Sequence, residues 1–173
     1  LEEIFAECPL RISVKTRVGV NDAGEWEHLL SIYEKYPMEE LIIHPRVQKD
    51  FYNNTPDMEV FLYAVENSRH TLCYNGDICS VEDYRTWRQQ MEEKRECAFM
   101  QESGHQTDPE DTGSLVSHLM LGRGVLKNPG LIGEITGHAP ITKDQLHAFH
   151  DDVLKGYLDV MSGERNTLFR MKE

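Results

Sequence analysis

Nowhere in the 173 residues does an apolar run approach the roughly 20 consecutive residues that span a bilayer. Cysteine is sparse: four residues, at positions 8, 73, 79 and 97, none of which closes a Cys-x-x-Cys pair. That spacing excludes a zinc ribbon and a disulfide framework, so reduced thiols are expected, with Cys73 in an apolar run reading as core. Eight histidines are scattered without a His-Glu-x-x-His pattern, and no metal site is expected. Positive charge is also scarce, with 18 Lys and Arg against 30 Asp and Glu and a net charge of -12. Bulk attraction to nucleic acid is therefore excluded, and only a local basic groove would serve. Leu1 is followed by no basic, signal-like start, so the residues present read as cytoplasmic. Hydrophobic residues at 39% and charged residues at 28% suit one soluble domain with a real core.

What is there alternates. Leu10, Ile12 and Val14 in residues 10–16 have strand spacing, and a turn-rich stretch follows over 19–24. Trp26, Leu29, Leu30, Tyr33 and Tyr36 mark one face of a helix. Leu41, Ile42 and Ile43 predict a strand buried on both faces. A helix is expected to open at Thr55-Pro56, with Met58, Phe61, Leu62 and Val65 inward. Residues 71–74 predict a third strand, and Ser80 with Asp83 predicts a capping box before a helix carrying Tyr84, Trp87 and Met91. Residues 88–113 are strongly polar and read as an extended or partly disordered insertion. Residues 115–121 predict a fourth strand, 128–135 a short helix, and Thr142 with Gln145 a capped helical tail.

Strand and helix in alternation imply an α/β chain with a parallel sheet, and four such units are half of a TIM barrel of roughly 250 residues. The expected division is residues 1–137 for the half-barrel and 138–173 for the start of a helical domain that continues beyond Glu173.

Polar and glycine residues follow every strand, on the face where TIM-barrel sites form. These are Lys15-Thr16-Arg17, His44-Pro45-Arg46, Asn75-Gly76-Asp77 and Gly122-Arg123-Gly124. The last two of these ends suit a phosphate, since glycines let backbone N–H groups approach an anion and Arg123 adds a fork of donors. Lys15 reads as a cation beside a flavin ring, as a Schiff-base amine, or as a solvated lysine. His44 reads as a ligand contact or a structural histidine, Asn75-Gly76 as a loop or a plain turn, and Asp77 as a contact or a cap. Arg46, Lys49 and Lys127 read as an RNA-facing set or as ordinary surface.

The strings SVKTRVG (13–19), HPRVQKDFY (44–52), YNGDI (74–78) and LGRGVLKNP (121–129) resemble, in order, the flavin-dependent tRNA-dihydrouridine synthase family. The resemblance covers most of the chain and implies FMN reduced by NADPH, with hydride delivered to a uracil base of tRNA. It places Lys15 and His44 against the flavin ring and Asn75, Gly76, Gly122 and Arg123 at its ribityl-phosphate end. Asp77 joins this cofactor set, and Arg46 is expected to face the uracil or the RNA. The family's catalytic cysteine lies in an Asn-x-Gly-Cys-Pro loop. Cys8-Pro9 lacks the preceding Asn-x-Gly, so no catalytic residue is assigned here, and these residues alone are expected to be inactive.

Two other readings remain: a phosphate-binding lyase using Lys15 as a Schiff base, and a non-catalytic RNA-binding module. A half-barrel leaves two sheet edges open, so self-association through them is expected.

Overall fold

Leu41, Ile42 and Ile43 are all buried, and they form the middle of β2 (Glu40–His44). β2 lies between β1 (Ser13–Arg17) and β3 (Leu72–Tyr74), and β4 (His118–Leu119) completes a parallel sheet ordered β1-β2-β3-β4. The computed structural model describes residues 1–51, 53–101, 116 and 118–172.

The register sorts the side chains into two faces. Val14 pairs with Leu41 and Leu41 with Leu72, while Lys15 pairs with Ile42, Ile42 with Cys73 and Cys73 with His118. Successive residues of a strand point to opposite faces. Leu41, Ile43, Leu72 and Tyr74 therefore share the side that packs into the main core with Trp26, Leu30, Phe61, Leu62 and Met91. These partners come from α2 (Trp26–Tyr33), α3 (Met58–Asn67) and α4 (Val81–Gln101). The opposite face carries Lys15, Arg17, Ile42, His44 and Cys73, none of which belongs to that core.

Several boundaries differ from the sequence expectation, each for a local reason. β1 starts at Ser13, where pairing with Glu40 begins, and Leu10 before it is 74% exposed rather than inward. α3 is capped by Asp57, whose carboxylate accepts from the backbone of Glu59 and Val60, and not by Thr55. Residues 88–101 are helix, not loop. The sequence there shows little apolar period after Met91, but Glu, Gln, Lys and Arg are strong helix formers. Arg88 to Glu92 and Gln89 to Glu93 add i,i+4 bonds of 2.7 and 2.8 Å. The rest of that expected insertion, 102–113, lies outside the described residues, as do Leu115 and Ser117 of the expected fourth strand.

The expected short helix over 128–135 begins later, as α6 (Leu131–Ile135), and a further helix, α5 (Arg123–Lys127), forms where the Gly-Arg-Gly loop was expected. Pro129 divides them: Asn128, the residue before it, is extended at φ -136, ψ 96. α1 (Glu2–Glu7) had no sequence signal. α7 (Lys143–Val160) begins with the Thr142–Gln145 capping box, as expected, and pairs with α8 (Glu164–Arg170). No residue of α7 is buried, so Leu146 and Phe149 stay exposed. Among the described residues no helix is long and apolar enough to cross a membrane.

Candidate functional site

The four strand ends converge. Lys15, His44, Asn75, Gly76, Asp77, Gly122 and Arg123 all line one cleft of about 270 Å³. Lys15 stands on the face of β1 turned away from the main core, two residues before the strand's end. Partial burial, and then the charge of Arg17, lowers its pKa, so its ammonium is held less firmly than in water.

His44 closes β2 and is 7% exposed. Burial pushes its pKa down to about 4, helped by the charges of Arg17, Lys15 and Arg46. The ring is therefore neutral near pH 7. Arg46 Nη1 lies 3.2 Å from His44 Nε2, and a guanidinium has no acceptor to offer. Nε2 must accept, which places the imidazole proton on Nδ1.

The loop after β3 is tied to its neighbours on both sides. The Asn75 backbone N–H donates to the Ile43 carbonyl at 2.9 Å, and its side-chain amide donates to the Met120 carbonyl at 2.8 Å. Gly76 sits over the phenol of Tyr74, whose oxygen would lie 2.1 Å from any Cβ there. Burial raises that phenol to about 12, so it stays protonated beneath the loop. Asp77 accepts from Arg46 and Arg123, and the hydrogen bond from Arg46, then that from Arg123, holds its carboxyl below the usual range.

A sequence profile described as Dihydrouridine synthase (Dus) matches residues 1–153, which hold the whole sheet, all four strand ends and part of α7. The chain belongs to the dihydrouridine synthase family. No curated protein matches it significantly. Dihydrouridine synthases are oxidoreductases that modify tRNA, and the strand-end cleft lies inside the matched span.

Arg46, expected to face the uracil or the RNA, has a side chain that is 2% exposed and bonded to Asp77 at 2.9 and 2.5 Å. Its Nε also donates to the Asn54 carbonyl. A buried guanidinium needs such partners, and here they make it part of the scaffold. Arg17, the last residue of β1, braces the next loop by donating to the carbonyls of Val47 and Phe51 at 2.8 and 3.1 Å. Lys49 and Lys127 do not line the cleft.

The sequence expectation gave no site role to Ile78, Cys79, Met120, Leu121 or Gly124, which also line the cleft. Gly124 was visible in the Gly-Arg-Gly string, but the contact that requires it comes from the other loop. The apolar members carry no signal that separates cleft from core.

Proposed function

We propose that the chain is the C-terminal half of a (β/α)8 barrel that binds FMN and serves the NADPH-dependent reduction of uridine to dihydrouridine in tRNA, in the cytoplasm. One observation supports it above the others: polar groups from four strand ends meet on one cleft with Lys15 and Arg123 on its walls. In a chain of net charge -12, Lys15, Arg17, Arg46 and Arg123 gather near that cleft and supply the local positive field that an anion needs.

The donor set fits a phosphorylated ring cofactor. Lys15 would lie against the ring, where a cation stabilises negative charge on its reduced form. His44 would stand beside it as a neutral group, adding no second charge. Asn75, Gly76, Gly122 and Arg123 would hold the ribityl-phosphate end. A Cβ built on Gly122 meets no atom of the chain within 4 Å, so glycine there leaves space at the cleft edge. When bound, FMN supplies the hydride after reduction by NADPH. The chain's residues bind and orient it, and the uracil must leave its stack to reach the cleft.

No cysteine of the chain follows Asn-x-Gly, so the proton donor that the family resemblance implies is not supplied by these residues. The 173 residues alone therefore bind cofactor without completing the reduction. Residues 1–137 form the barrel portion, and 138–173 begin a helical domain that faces tRNA. Fluorescence titration tests this: FMN emission is quenched on binding, and Lys15→Ala weakens binding about tenfold or more. Absence of binding refutes it. Borohydride trapping of a carbonyl compound on Lys15 would identify a Schiff-base lyase instead. Binding of tRNA without flavin, unchanged by Lys15→Ala, would identify an RNA-binding module.

A further inference from the structure

We propose that Asp77 is a positioning residue: anchored by buried Arg46, it fixes the pose in which Arg123 meets the phosphate of the cofactor. The inference rests on the flavin reading above. Asp77 Oδ1 accepts from Arg46 Nη1 at 2.9 Å and from Arg123 Nη2 at 2.7 Å, while Oδ2 accepts from Arg46 Nη2 at 2.5 Å. The three side chains grow more exposed toward the cleft, at 2% for Arg46, 34% for Asp77 and 53% for Arg123. The triad is thus rigid at its root and reaches solvent at its tip.

Each link has a physical reason. A forked pair between guanidinium and carboxylate fixes direction as well as distance. The root is held again by the Asn54 carbonyl and by the His44 ring. A half-exposed arginine without such a hold loses rotamer entropy when it settles on a ligand, and Asp77 removes that loss beforehand. Arg46 touches both His44 and Asp77, so the same side chain connects the two ends of the cleft.

The sign of one substitution separates positioning from plain charge. Asp77 cancels one positive charge beside the cleft. If electrostatics alone ruled, Asp77→Asn would tighten the binding of an anion. If Asp77 positions Arg123, the same change weakens it.

The test titrates the full chain with FMN and with riboflavin, which lacks the phosphate. Wild type prefers FMN, and Arg123→Ala and Asp77→Asn each reduce that preference about tenfold while riboflavin binding holds. The double variant loses no more than either single one. Asp77→Glu, which keeps the charge, stays within about threefold of wild type. It also decides the matter should Asp77→Asn fail to fold, since a folded Glu variant without the preference overturns the proposal. An unchanged or raised preference in Asp77→Asn, or additive losses, overturns it as well. Equal binding of FMN and riboflavin by wild type refutes the phosphate reading itself, and the proposal falls with it.

Discussion

Gly124 and Ile78 meet so closely that no side chain fits between them: a Cβ on Gly124 would lie 2.2 Å from the Ile78 carbonyl oxygen. The contact seats α5 on the loop that leaves β3, and both line the cleft. Gly124→Ala must push the two loops apart and is expected to cost about 1–3 kcal/mol of stability. Gly122→Ala meets no atom of the chain and is expected to cost less. Urea midpoints of the two variants check this, and a larger loss at Gly122 contradicts it.

The cap of α3 makes a second comparison. Asp57→Ala removes the carboxylate that accepts from Glu59 and Val60 and is expected to cost about 1 kcal/mol. Thr55→Ala should stay within about 0.5 kcal/mol, since Thr55 is not the cap. Equal losses in thermal melts would return the cap to Thr55.

Much of this architecture was legible because period and punctuation agreed. Phe61, Leu62, Leu41 and Ile43 announced their elements and are core, and the strand-end strings announced one rim. Legibility failed where helix propensity continued with little apolar period in the sequence after Met91, as in residues 88–101. It failed again at Asn128-Pro129, where a helix was expected to open but the residue before proline is extended. The partner of Arg46 was not legible, because a sequence shows an arginine after a strand but not which carboxylate waits for it. Asp77 lies 31 positions away, and only the fold brings the two together.

Stability should fall in mild acid through His44. Its pKa is held to about 4 by burial and by three neighbouring cations, against 6.5 for the ordinary group. Between those values the unfolded chain binds more protons, so stability is full above pH 6.5 and declines as pH drops toward 4. His44→Gln should flatten the melting temperature over that window. An unchanged slope would mean that His44 does not titrate as the geometry requires. Asp77 acts lower: its carboxyl sits below the ordinary 3.8, so its contribution is present above 3.8 and is lost as pH falls through the depressed value.

β1 and β4 are the outer strands of the sheet, and strand edges invite pairing with another chain. The isolated chain is expected to self-associate through them. Light scattering at micromolar concentration should give a mass above the 20.0 kDa monomer, and a monomer mass contradicts the expectation.

Hydrogen–deuterium exchange with and without FMN tests the central claim most directly. Bound FMN is predicted to protect the backbone amides of 75–79, the loop after β3, together with those of 122–128, which hold α5. Protection confined to the exposed faces of α7 and α8, or no protection at all, would contradict a flavin site at the strand ends.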